Sequence, residues 1–275
     1  SFLLTEVVGY PAFLWAVLAF HSTVVRPTAR NDVLALLGLV VAIGARAQLA
    51  VLAVALLVAV VVHRQTRQHR TLVVAYAVGL ALALVLAGTG HSPLGTYGTT
   101  AHGNPAPLAF FPALLTHLAS LGLGLCIVPF VLGGAWLVAN ARRDAFATLA
   151  IAAIVLLTAE VASYDERFGG GLVRDRYLFY LAPLFAIAFV SALHSFPRPA
   201  WLAFPVGLLV AGFALAPLPV FSKLNVDTPA STLDNYLRDQ IGGLTGARIF
   251  LVCATLVIGL LLVEGHVLLR RSWFV

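Results

Sequence analysis

The sequence predicts an all-α fold: a polytopic transmembrane helix bundle with about nine membrane segments and almost no soluble domain. Three observations predict it. Hydrophobic residues make up 61% of the chain and charged residues only 10%, whereas a soluble domain carries roughly 25% charged residues. Mean hydropathy is +0.98, so the chain is too poor in charge to cover its surface for water. The apolar runs are also long enough to span, since ~20 apolar residues bridge a ~30 Å hydrocarbon core. The formal net charge is +6, but Lys and Arg sit in short clusters between apolar runs. They read as topology signals and not as a nucleic-acid surface.

In chain order the apolar runs are 7–25, 33–45, 47–62, 71–88, 108–139, 145–162, 177–194, 200–220 and 247–268. The run 108–139 exceeds one span, and Pro112 and Pro129 interrupt it. This predicts an interfacial helix over 108–118 and a span over 119–139. Residues 33–62 pose the opposite problem, with Arg46 and Gln48 in the middle of the stretch. A charge at mid-membrane costs at least ~2.5–3.5 kcal/mol. Two short helices meeting at Arg46 would bring it to the membrane face or into a wet cavity, so a broken pair is expected. In the stretch 221–246, Thr228 before Pro229 reads as an N-cap with proline at the first helical position. Leu233, Leu237 and Ile241 then outline a short amphipathic helix. Cys126 and Cys253 lie in apolar runs and read as small buried hydrophobes.

The positive-inside rule orients these segments. With residues 1–6 outside, Arg26 and Arg30 fall inside, the broken pair goes out to Arg46 and returns, and Arg64, Arg67 and Arg70 fall inside. Arg142, Arg143, Arg198, Arg270 and Arg271 follow them. Of the 17 Lys and Arg residues, ten then lie inside and six outside, with Arg46 at the hairpin tip. The outer loops 89–107, 163–176 and 221–246 are longer, mixed in charge and rich in Gly, Tyr and His. Chemistry is therefore expected on the outer face.

Several residues there could carry it. Glu6 sits where the first helix meets the outer surface; it either favours the helix dipole or faces a cavity. Arg46 and Gln48 could snorkel to headgroups or hold a phosphate in a groove. The stretch Tyr164-Asp165-Glu166-Arg167-Phe168-Gly169-Gly170-Gly171-Leu172-Val173-Arg174-Asp175-Arg176-Tyr177 places three arginines outside, against the bias. Arg174 and Arg176 offer forked donors suited to phosphate, unless the loop simply neutralises itself. Tyr177 and Tyr180 share a helical face and read as an aromatic belt or a binding platform. His91 and His102 bracket an outer loop and, with Glu6, could hold a divalent metal of Glu/His type; the spacing is not diagnostic, and no cofactor is otherwise called for. Glu160 lies near the outer end of its span, as a functional acid or a salt-bridge partner. His117, His194 and His266 read as interfacial or packed.

Three stretches carry a resemblance: Leu4-Thr5-Glu6 ahead of Tyr10-Pro11, the helix pair joined at Ala45-Arg46-Ala47-Gln48, and Arg174-Asp175-Arg176-Tyr177-Leu178-Phe179-Tyr180-Leu181-Ala182-Pro183. The chain resembles the polytopic GT-C type glycosyltransferases, close to the protein mannosyltransferases and aminoarabinose transferases. The resemblance implies transfer of a sugar from a polyprenyl-phosphate carrier to an acceptor at the outer face of a membrane, by single displacement with inversion. It implies Glu6 as the acid that orients acceptor or sugar, and Arg46, Arg174 and Arg176 on the lipid phosphate. Gln48, Asp165, Tyr177, His91 and His102 would then surround the substrate. In such enzymes the general base lies in a first outer loop. The chain begins at Ser1 and contains no Met, so residues 1–275 are expected to form a single transmembrane domain cut from a longer protein, with the first spans and that loop ahead of Ser1. A fragment of this kind would be inactive alone. The composition, rich in Ala, Val, Leu, Gly and Arg with one Lys, suits a GC-rich bacterial genome and hence a plasma membrane. A transporter or flippase of a lipid-linked sugar, or a non-catalytic membrane subunit, would also explain basic outer loops, although no internal repeat supports the former.

Topology is directly testable. With Cys126 and Cys253 replaced, a single cysteine at position 169 should react with an impermeant maleimide added outside, and one at position 67 should not. The reverse pattern would overturn the orientation.

Overall fold

In a computed structural model, the protein is described over residues 2–89, 107–168, 177–215 and 229–272, with the side chains of 2–6, 87, 107–109, 167–168, 229, 231 and 266–272 left out. The described residues are 88% helical and form no strand. This is the expected answer to an apolar solvent, where each helix satisfies its own backbone N–H and C=O groups. The chain divides into two compact units, residues 1–105 with 142–157, and residues 106–141 with 158–275.

The first unit contains α1 (Phe2–Val25), α2 (Ala29–Ala45), a 3-10 turn (Ala47–Ala50), α3 (Val51–Val62) and α4 (Arg70–Gly88). It also holds the start of α7 (Ala145–Phe168). A polar knot joins α1 to α2. Thr28 caps α2 by accepting the Asn31 N–H at 3.2 Å. Asn31 Nδ2 donates to the Arg26 carbonyl at 2.7 Å, and Thr23 donates to the Asn31 carbonyl at 2.9 Å. Beyond the knot the two helices pack closely, because Gly38 lets the backbone of Ala16 approach: a Cβ at Gly38 would lie 3.2 Å from Ala16 Cα.

The helix does break at Arg46. Its φ of −159° and ψ of 117° are extended, and the chain re-enters helix through the 3-10 turn. Asp32, in the first turn of α2, meets His69, just ahead of α4, at 2.7 Å. The beginning of α2 and the beginning of α4 therefore lie together, and between them the chain runs out to Arg46 and back. On the return, α3 lies against α4, with the Tyr76 hydroxyl donating to the Ala53 carbonyl at 2.6 Å. His63 Nε2 meets the Thr148 hydroxyl at 3.0 Å. The basic clusters at 26–30, 64–70 and 142–143, which the parity argument assigns to one side, thus gather at one end of this unit.

The second unit contains α5 (Pro107–Gly124), α6 (Ile127–Asn140), the remainder of α7, a 3-10 turn (Phe179–Leu181), α8 (Ala182–His194), α9 (Pro199–Leu215), α10 (Pro229–Gln240) and α11 (Gly243–Ser272). Small residues again mark the close approaches. A Cβ at Gly133 would lie 3.1 Å from the Phe185 carbonyl, and one at Gly212 3.2 Å from the Leu115 carbonyl. Phe130 and Phe185 stack at 4.9 Å beside the first of these.

Three expectations are corrected here. The stretch 108–139 does not break near 118: α5 continues through Pro112 to Gly124, and α5 and α6 meet at a bend of 116°. Pro112 costs one backbone bond early in α5. Pro129 sits in the first turn of α6, where an N–H would have no helical partner anyway. The break is made by Cys126, whose φ of 65° is left-handed. Cys126 and Cys253 are exposed, not buried. In α10, which begins at Pro229 as predicted, the buried face carries Ala230, Asp234 and Leu237, while Leu233 and Ile241 are exposed.

Three helical stretches are long and apolar enough to cross a membrane: Val7–Val25, Ala145–Glu166 and Gly243–Gly265; the bent pair Phe110–Gly124 and Ile127–Asn140 makes a fourth if it is one span. Ala47–Val62, Arg70–Leu86, Phe179–His194 and Pro199–Leu215 are shorter apolar helices. At 1.5 Å per residue, 17 residues reach about 25 Å, somewhat less than the hydrocarbon core.

Asp32→Ala should destabilise the first unit by roughly 1–3 kcal/mol, since it leaves His69 buried without its acceptor. Adding His69→Ala should restore part of that loss. The thermal midpoints of both single variants and the double variant check it, and simple additivity would show that the contact couples nothing.

Candidate functional site

The break at Arg46 brings together two of the residues singled out in the sequence. Arg46 Nε donates to Gln48 Oε1 at 2.8 Å. Both side chains are partly buried. The extended backbone at Arg46 makes this reach possible, because residues two apart on a helix do not face each other. The bond fixes the plane of the guanidinium. Arginine presents a rigid fork, so fixing Nε also fixes where its two terminal nitrogens can aim. A planar, oriented guanidinium is the kind of group that pairs with a phosphate or carboxylate.

The second unit holds the start of the Gly-rich stretch. Asp165 is 2% exposed, and its Oδ2 lies 3.0 Å from Nε2 of His117, itself buried. His117 Nδ1 donates to the Ala113 carbonyl at 2.7 Å. Both ring nitrogens are thus committed, and the ring has no nitrogen left to take a proton from a substrate. The pair is a tether: it ties α7 to α5 three residues before the last described residue of α7. The chain resumes with Tyr177 and Tyr180, 9% and 2% exposed. Burial fits neither a solvent-facing platform nor an exposed belt; the two rings anchor the entry into α8. Arg174 and Arg176, which lie between these anchors in sequence, fall outside the described residues, as do His91 and His102. Glu6 belongs to the first helix, but its side chain is outside the description. Among the described residues no three of His, Cys, Asp and Glu gather in metal-binding geometry.

Sequence reasoning missed a third cluster. Arg238 Nη2 approaches Asp234 Oδ2 to 2.7 Å across one turn of α10. The contact is an ion pair within one helix. Asp234 is fully buried. Burial pushes its carboxyl up from the ordinary value, while Arg238 and the nearby Arg248 pull it back down. The signal was present in the sequence as an Asp and an Arg four apart, but Leu233 and Ile241 directed attention to the other face. His117 and Asp165 carried no such signal, being 48 residues apart.

Because the folded pKa of Asp234 is raised, the native state holds this proton more tightly than the unfolded chain. Stability should therefore fall as pH rises from about 4, the ordinary carboxyl value, through the raised folded value, and be regained on acidification. Asp234→Asn should flatten that slope in thermal melts of the detergent-solubilised protein between pH 4 and 7. An unchanged slope would mean that Asp234 contributes nothing to it.

No protein-family model, curated protein or solved structure matches the chain.

Proposed function

We propose that the protein is a membrane glycosyltransferase of GT-C type, which moves a sugar from a polyprenyl-phosphate carrier to an acceptor on the outer face of a bacterial plasma membrane. The observation that supports this reading best is the Arg46–Gln48 pair at the turn between α2 and α3. An arginine that merely snorkels needs reach and freedom; one that recognises a phosphate needs a fixed plane. In the proposed reaction the acceptor hydroxyl attacks the anomeric carbon, and the bond from that carbon to the phosphate oxygen breaks. The electron pair leaves with the lipid phosphate, and configuration inverts. Arg46 stabilises the charge that grows on that phosphate, while Glu6 orients the acceptor or the sugar; Arg174 and Arg176 are proposed from the sequence for the same task. Asp165 serves by holding the approach to the arginines in place. The nine-segment topology belongs to the same proposal, with α2 and the four shorter apolar helices as partial or tilted crossings.

A second reading has one observation in its favour. The 116° break between α5 and α6 is the kind of discontinuous helix with which transporters form midplane sites. A flippase for a lipid-linked sugar would use the same arginines without cleaving the bond.

The two are separated by measuring sugar transfer and lipid movement on one preparation of the full-length protein in liposomes. Arg46→Ala, Arg174→Ala and Arg176→Ala should each slow transfer from a synthetic polyprenyl-phosphate sugar by roughly 10- to 150-fold, the equivalent of one charge-assisted hydrogen bond of about 1.5–3 kcal/mol. Arg46→Lys should rescue only in part, since a point charge cannot replace the fork, and Gln48→Ala should weaken transfer less than Arg46→Ala. Unaltered rates in all three arginine variants would overturn the transferase reading; lipid movement without transfer would establish the second.

A further inference from the structure

Away from the Arg46 turn, at the opposite end of the same helix pair, α3 and α4 enclose a cleft of about 140 Å³. Its floor is Leu56 and Val60, both buried, and its rim is Leu57 and Val73, 44% and 51% exposed. His69 closes one end and Tyr76 the other, with their polar atoms turned to Asp32 and to the Ala53 carbonyl. The cleft is thus lined almost wholly by carbon. Its volume is comparable with cavities of roughly 150 Å³ that stay dry and accept apolar guests. Open at its rim and lined by hydrocarbon, it suits one turn of an acyl chain.

The loop that borders the cleft is basic. Arg64, Arg67 and Arg70 are all exposed. Arg64 is held in the left-handed region with φ 56°. It occupies the position after the helix end where glycine is usual: its N–H bonds the Val61 carbonyl and the next N–H, of Gln65, bonds the Val60 carbonyl, each at 3.0 Å. A side chain there is strained. An arginine kept where glycine would be easier is an outlier that points to use.

We propose that this cleft and its arginines form a binding site for an anionic phospholipid of the bilayer, acyl chain between α3 and α4 and phosphate on Arg64, Arg67 and Arg70. Charge complementarity selects the occupant: a zwitterionic lipid would fill the cleft equally well but leave three cations unanswered, whereas an anionic headgroup meets them at the membrane surface. Basic pockets between membrane helices are recognised sites of this kind. The site is independent of any transfer reaction and lies at the end of the unit away from Arg46.

The test is retention of lipid by the full-length protein after delipidation, read by native mass spectrometry in an equimolar mixture of phosphatidylglycerol and phosphatidylcholine with identical chains. Phosphatidylglycerol should be retained at least tenfold over phosphatidylcholine. Removing one arginine should reduce that preference about fivefold, and Arg64→Gln, Arg67→Gln and Arg70→Gln together should abolish it. Val73→Trp, which fills the cleft from its exposed rim and leaves the core intact, should weaken retention of both lipids. Arg64→Gly should raise the thermal midpoint while lowering the preference, a combination that a purely structural arginine would not give. Equal retention of the two lipids by the wild type would overturn the proposal. So would retention untouched by Val73→Trp, or competition by glycerophosphate as effective as by the intact lipid, since each would reduce the site to a basic surface loop.

Discussion

Asp32 and His69 meet at 2.7 Å with almost no exposure, and much of the first unit depends on that contact. In a chain that is 61% hydrophobic the apolar faces do little to choose among neighbours, because lipid and protein are nearly equivalent solvents for a leucine. Specificity must come from groups that lipid cannot satisfy. Asp32 is such a group: taken out of water at the start of α2, it has one partner 37 residues away. That pairing sets the start of α4 beside the start of α2. It places the turn at Arg46 at the far end and sets α4 beside α3, with the Tyr76 bond to Ala53 fixing the register of the return.

The second unit follows the same logic with different residues. His117 and Asp165 tie α5 to α7, while Gly133 and Gly212 bring α6 to α8 and α5 to α9 at distances where only hydrogen fits without displacement. Polar pairs choose the partners, and small residues set how near they come. Asp234 shows the cost of this arrangement. Its burial opposes ionisation and two arginines favour it, burial being the larger effect.

Most of the helices could be read from the sequence because their signals are local. Apolar runs give the helices, Pro229 marks the start of α10, and Arg46 in a 30-residue apolar stretch marks the break between α2 and α3. What could not be read depends on contacts distant in sequence or on backbone geometry. Pro112 and Pro129 look like interruptions, but their effect turns on where a helix begins. Nothing in the sequence marks Cys126 as the left-handed residue that bends the chain. The buried pairs were illegible because histidine and aspartate are ordinary loop residues until a fold places them opposite one another. Of the candidate site, the pairing of Arg46 with Gln48 was legible as a juxtaposition, and its geometry only from the structure.

Among the described residues, three physical kinds of charge stand out. Buried pairs such as Asp32–His69 and His117–Asp165 have both members committed and hold helices together. Exposed arginines at 64, 67 and 70 have water or headgroups as partners and act through charge. Arg46 is a third kind: it is partly buried, sits outside regular helix, and donates from Nε to a neutral amide. A glutamate in place of Gln48 would hold the guanidinium as firmly, but would also satisfy its charge and repel any incoming anion. An amide orients without neutralising. An amide at Nε fixes the plane of the guanidinium without adding a charge of its own, which is why the proposed function starts from this turn.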